Sequence, residues 1–204
     1  MLNKKQFISI TAITLLSFSP ISYLTAADDA SLMKEKCGAC HGEDGNSTTG
    51  DVPSIAGFTA ASLSDFLEEY KEGDRKAEKF TPKGGKESDM KEVASKLSEE
   101  DGLKIFFHLA KQTFKPIKQD FDTTLANKGK KLHKKKCEKC HSENGSSVED
   151  DTPKLAGQWK PYLEKQFTLF SKGERDMPKK MKKRFKKLSE DDRKALIEFY
   201  ISQQ

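Results

Sequence analysis

The sequence predicts an all-α protein assembled from two tandem copies of one module. Three observations carry that prediction. Apolar side chains recur at three- and four-residue steps, as in Trp159, Tyr162, Leu163, Phe167 and Phe170. No stretch shows the convincing period-two alternation of a half-buried strand. The chain also matches itself: displaced by 100 positions, Cys37, Cys40 and His41 fall on Cys137, Cys140 and His141, and Gly45, Asp51, Pro53, Ala56, Gly57, Leu63, Gly73 and Arg75 each meet a residue of their own kind.

The N-terminal segment reads as a secretory signal peptide. Lys4 and Lys5 precede an apolar run from Phe7 to Leu16, and the small residues Thr25, Ala26 and Ala27 follow, which places cleavage after Ala26 or Ala27. An uncleaved anchor is the rival reading, but the run is short and Pro20 suits a span poorly. No other stretch approaches the roughly 20 apolar residues a span requires. Export to the periplasm as a water-soluble protein is the expectation.

In the first module, Ser98 stands three residues before Asp101 and just ahead of Leu103, Phe106 and Phe107, the pattern of a capped helix start. Ser189 repeats it before Leu196, Phe199 and Tyr200. Between the pentapeptides and these helices the repeat offset falls from 100 to 91, so the first module carries nine extra residues around "FTPKGGKES", a surface-loop composition. The connector "QTFKPIKQDFDTT" has Pro116 and mixed polarity and is expected to run across the module interface. In the second module, Pro161 suits the first turn of the helix that follows it.

Charge is divided between the halves: residues 28–126 sum to about −6 and residues 127–204 to about +9. The chain is 34% apolar and 34% charged, with a mean hydropathy of −0.77. Two modules of roughly 90 residues with so few core-forming side chains are short of core. Something other than polypeptide is expected to fill the middle of each.

All four cysteines and half of the four histidines lie in "CGACH" (37–41) and "CEKCH" (137–141). On a helix, positions i, i+3 and i+4 share a face, so the two thiols and the imidazole point the same way. That arrangement bonds two haem vinyl groups while the histidine reaches the iron, and C-x-x-C-H is the signature of c-type haem attachment. A zinc site would need ligands from both copies, about a hundred residues apart, and a redox C-x-x-C would need a βαβ pattern. The expectation is therefore two tandem class I cytochrome c domains, each wrapped around one covalent haem c that supplies the missing core. The expected division is 1–27 signal peptide, 28–111 first domain, 112–126 connector and 127–204 second domain. Cys37, Cys40, Cys137 and Cys140 are the expected attachment points, with His41 and His141 as axial ligands.

The second axial ligand decides between carrying electrons and acting on a substrate, since methionine opposite histidine raises the potential and closes the iron. Met90 and Met181 occupy equivalent repeat positions, each seven residues before a Leu-Ser pair, and are the expected ligands. Met177 is the local rival of Met181, but its counterpart is Lys86. Met33 matches His133, so neither is expected to ligate, and His108 is read as a packed or surface histidine, with His/His coordination of the first haem left open. A backbone carbonyl near Pro53 or Pro153 would accept the imidazole N–H. Arg75 and Arg175 either face haem propionates or sit on the surface.

The two-module layout resembles the dihaem cytochromes of the cytochrome c4 type. From Lys111 onward, "KQTFKPIKQDFDTTLANKGKKLHKKKCEKCH", "LAGQWKPYL", "MPKKM" and "FYISQQ" resemble more narrowly the dihaem cytochrome subunit of flavocytochrome c sulfide dehydrogenase. That resemblance implies a periplasmic partnership with an FAD-bearing flavoprotein that oxidises sulfide. Electrons would pass through the two haems to a soluble acceptor cytochrome c, with the N-terminal module facing the flavoprotein. The chain has no glycine-rich dinucleotide fingerprint and no spare cysteine, so it is expected to be the electron-transfer subunit rather than the enzyme. Two other readings stay open: a free cytochrome c4-like carrier feeding a terminal oxidase, and a dihaem peroxidase with one open iron. Lys179, Lys180, Lys182, Lys183, Arg184, Lys186 and Lys187 surround Met181 and would steer an acidic partner, or are an ordinary solvated face.

Overall fold

The structure, a computed structural model, describes residues 24–204. Most of the expected signal peptide lies outside the described residues, and the expected cleavage site falls within the first helix, α1 (Leu24–Met33). A π-helical turn, Lys34–Gly38, follows and leads into the short α2 (Ala39–His41). The first module continues with α3 (Ala60–Glu72), α4 (Met90–Lys96) and α5 (Glu99–Ala110). The second has α6 (Thr123–Lys136), α7 (Ser142–Gly145), a 3-10 turn at Glu149–Asp151, α8 (Lys160–Lys172), α9 (Lys179–Phe185) and α10 (Glu190–Ile201). Among the described residues β-pairing is confined to two isolated antiparallel bridges, so the all-α expectation holds.

Local chemistry sets the helix ends. Thr59, Asp89, Ser98, Asp122 and Ser189 each accept a hydrogen bond from the backbone N–H three residues on, which satisfies one of the free donors at a helix start. The nine-residue excess of the first module is a closed loop: Phe80 and Ser88 exchange both backbone hydrogen bonds, at 2.8 and 3.0 Å, and Lys83 to Glu87 between them are exposed.

Each module buries a small apolar cluster between its first and last helices. In the first, Met33 meets Phe58, Leu63, Ile105, Phe106 and Leu109. In the second, Leu163, Phe185 and Leu188 meet Leu196, Ile197, Phe199, Tyr200 and Ile201. The α6–α10 crossing is close enough to demand glycine: a Cβ at Gly129 would stand 1.9 Å from the Ala195 carbonyl oxygen. Such contact brings two backbones together without a side chain between them.

The modules are joined by polar contacts rather than by a shared apolar core. Gln158 is fully buried; its Oε1 accepts from Ser54 N at 3.1 Å and its Nε2 donates to Ser54 O at 2.7 Å. Trp159 Nε1 donates to Ser47 O at 3.1 Å, and Tyr162 N to Gly50 O at 3.0 Å. The connector lies across the junction as its sequence suggests: Asn46 Nδ2 donates to Thr113 O at 3.0 Å, Ile117 N to Gly157 O at 2.9 Å, and Gln119 Nε2 to Gln158 O at 2.8 Å.

Two candidate haem-attachment sites

The first pentapeptide is formed where α1 loosens into the π-helical turn that contains Cys37, before Ala39 restores α-helical spacing. The His41 ring is buried, and its Nδ1–H donates to the Pro53 carbonyl at 2.9 Å. That bond selects one tautomer and leaves Nε2 as the lone-pair nitrogen available to a metal. Burial lowers the His41 pKa, which keeps the ring neutral as ligation requires, and pushes the Cys37 thiol up to about 11.

The second pentapeptide departs from the expected helix. α6 ends at Lys136, and Cys137 leaves helical geometry at φ −120°. The turn that follows is still closed, because Cys140 N and His141 N both donate to the Cys137 carbonyl at 3.0 Å. Neither pentapeptide therefore lies on one regular helix; each is held by a local turn. His141 Nδ1 is buried with no hydrogen-bond partner, so the Pro53 arrangement of the first module has no equivalent at Pro153 here. Burial, with nearby His133 adding to it, takes the His141 pKa down to about 4.

The residues present fit a covalently attached haem. All four thiols are unlinked, and burial keeps both imidazoles neutral, as iron ligation requires. Among the described residues no group of three or more His, Cys, Asp and Glu side chains comes together to hold a metal ion.

The candidate methionines differ in their surroundings. Met90 opens α4 and Met181 is the third residue of α9, and both are partly buried. Met177 packs against the apolar cluster of the second module, and Met33 is fully buried in that of the first. The His108 ring nitrogen Nε2 meets Gln112 Nε2 at 3.2 Å on the rim of α5.

Arg75 and Arg175 are not surface residues. They form an antiparallel bridge between the modules, with Lys76 N donating to Glu174 O and Asp176 N to Asp74 O, both at 2.9 Å. Both side chains are buried, at 4% and 8% exposure. Both guanidinium groups donate to Gln166 Oε1 at 2.9 Å, and Arg75 also donates to Tyr162 OH at 3.1 Å. Arg75 stacks over Tyr70 and Arg175 over Phe170, at 4.6 and 4.8 Å from the ring centres. Glu69 Oε2 lies 3.3 Å from Arg175 and 3.9 Å from Arg75, without hydrogen-bond geometry to either. Both Nε atoms are buried without partners. Sequence reasoning missed this cluster; the alignment of Arg75 with Arg175 in the repeat was its one visible trace.

Comparison with known proteins agrees with this geometry. The cytochrome c family pattern matches residues 26–112, and that of cytochrome c oxidase, cbb3-type, subunit III, matches 124–199. Cytochrome c4 of Azotobacter vinelandii is 31% identical over 164 residues, covering 74% of this chain and 76% of the relative. Cytochrome c4 of Stutzerimonas stutzeri is 34% identical over 166 residues with the same coverage. The crystal structure of reduced cytochrome c4 from Pseudomonas stutzeri superposes with a TM-score of 0.69 at 28% identity, covering 88% of this chain and 98% of that one. A thiosulfate dehydrogenase from Marichromatium purpuratum shares the fold, with a TM-score of 0.69 at 21% identity over 87% of this chain and 40% of its own.

Proposed function

Because the chain belongs to the cytochrome c4-like family of dihaem cytochromes c and carries electrons on two covalent haem c groups, we propose that it works in the periplasm as a relay with separate docking faces for donor and acceptor. The observation that carries this reading is the division of charge between two modules joined through buried polar contacts. The donor side is the acidic first module and the exit is the basic second one. Lys179, Lys180, Lys182, Lys183, Arg184, Lys186 and Lys187, on and just after α9, are exposed, and among the described residues none forms an ion pair with a carboxylate. Cations left unpaired by their own chain are available to steer an acidic partner.

In this reading Cys37 and Cys40 hold one haem and Cys137 and Cys140 the other. His41 and His141 would ligate the iron, with Met90 and Met181 as the second protein ligands. When bound, the haem supplies one-electron iron chemistry at a potential raised by methionine ligation. The chain holds the imidazole tautomer at His41 through Pro53, excludes water around His41, and fixes the modules against each other through Arg75, Arg175 and Gln158.

A second reading makes the donor an FAD-bearing sulfide dehydrogenase subunit. The resemblance from Lys111 onward supports it. Part of that segment has an internal task, since Gln158 and Trp159 dock one module on the other. Purification from the native periplasm, with visible spectra before and after sulfide, separates the two. A flavin-free dihaem protein that sulfide reduces no faster than other cytochromes supports the carrier, provided no subunit was lost. A stoichiometric flavoprotein whose haems reduce on adding sulfide supports the complex.

A further inference from the structure

Behind the second pentapeptide lies a polar cluster with no counterpart in the first. His133 is 1% exposed, in the last turn of α6. The Tyr200 hydroxyl lies 3.0 Å from its Nδ1, and Glu138 Oε2 stands 2.5 Å from its Nε2. Phe199 and Tyr200 close over the ring, with centres 5.2 and 5.5 Å away. Burial lowers the His133 pKa, so a neutral ring accepts the Tyr200 O–H at Nδ1, while its buried Nε2 lies against the Glu138 carboxylate without hydrogen-bond geometry.

All three members differ between the two copies of the repeat. At the matching positions the first module has Met33, Gly38 and Leu109. The structure confirms the match of Leu109 with Tyr200: Gly57 N donates to Leu109 O and Gly157 N to Tyr200 O, both at 2.9 Å. Met33 and Leu109 belong to the dry core of their module. Where the first module has an apolar contact, the second has a Tyr–His–Glu series that ends on a carboxylate directly beside Cys137.

We propose that His133 and Tyr200 are positioning residues that hold Glu138 against the second attachment turn, where its negative charge lowers the reduction potential of the second haem. A fixed anion stabilises the oxidised iron, which carries one more positive charge than the reduced form. Left free, a side chain 40% exposed would swing into water and its charge would be screened. Held on a buried imidazole, it keeps its distance and its field. The inference requires only the two attached haems and holds whichever donor feeds the chain.

The test is a spectroelectrochemical titration of the holoprotein, with no sulfide or partner present. In Glu138→Gln one of the two reduction waves shifts to more positive potential and the other stays in place. His133→Met and Tyr200→Phe move that same wave in the same direction by less, because the carboxylate remains but is released. A Glu138→Gln protein with both waves unmoved, with both shifted equally, or with a negative shift overturns the proposal. Because Glu138 is part-exposed and its change to Gln keeps the side-chain shape, this variant is expected to fold, and a merely structural role would not move one wave alone.

Discussion

Arg75 and Arg175, a hundred residues apart, donate to the same acceptor: Gln166 Oε1 lies 2.9 Å from a guanidinium nitrogen of each. Two buried cations of like sign are held together by one neutral oxygen, stacked aromatic faces and the Glu69 carboxylate. Burial is the first cause lowering the Arg175 pKa, and Arg75 is the second. Replacing Gln166 by Leu leaves both groups without that oxygen. The expected loss is roughly 1–3 kcal/mol per unsatisfied buried group. Differential scanning calorimetry of the holoprotein should show a lower transition for Gln166→Leu, with the modules separating into two steps.

Glu78 and Lys165 form a second link between the modules, at 2.8 Å. The hydrogen bond from Lys165 is the first cause holding the Glu78 carboxyl below its ordinary value of 4.5. A depressed carboxylate contributes stability that is present above its unfolded pKa and lost as pH falls through the folded one. Lys165 is 32% and Glu78 42% exposed, so solvent screening keeps the contribution below about 1 kcal/mol. Urea midpoints should therefore favour the parent over Glu78→Gln slightly at pH 6, and the difference should shrink as the pH is taken below 4.5.

Met177 and Met181 lie four residues apart, and of the two Met177 packs on the apolar cluster of the second module. Met177→Ala should therefore lower stability, by less than the roughly 2–5 kcal/mol of a fully buried methionine, and leave ligand binding unchanged. Met181→Ala should open the second iron to carbon monoxide with little loss of stability. Carbon monoxide difference spectra of both variants check this, and binding in neither would remove Met181 as the axial ligand.

The basic surface of α9 is open to a kinetic test. Reversing Lys180 and Lys183 to Glu should slow reduction of an acidic acceptor on the order of tenfold at low salt. The difference should shrink as salt rises. Stopped-flow rates across a salt series measure it; a flat series would show that the lysines are only a solvated face.

What was legible in the sequence was what depends on near neighbours. Ser98 and Ser189 cap the helices assigned to them because capping is decided within four residues. Pro161 falls in the first turn of α8, and the glycine-containing excess closes on Phe80 and Ser88. The pentapeptides were legible because bonding chemistry dictates their spacing, whereas their backbone was not: the π-helical turn at Cys37 and the non-helical turn after Lys136 answer to packing. The burial of Arg75 and Arg175 was hidden for a different reason. An arginine reads as surface until its partners are known, and Gln166, Tyr162 and Glu69 come from other helices and, for Arg75, mostly from the other module. His133 was likewise read only as the counterpart of Met33, since its partner Tyr200 stands 67 positions away.

The crossing at Gly129 has a consequence for the order in which the chain can mature. α6 and α10 are the first and last helices of the second module, so their seam is its longest loop closure and a late event in any folding route. A chain emerging N-terminus first presents Cys137 and Cys140 at the start of that module and Ala195 at its end. Until α10 packs on it, α6 is unclamped, and Cys137, which packs against the cluster that α10 supplies, stays uncovered. The seam thus acts as a timer for one sulfur: it leaves an interval in which Cys137 is accessible for haem attachment and closes that interval when α10 docks on α6.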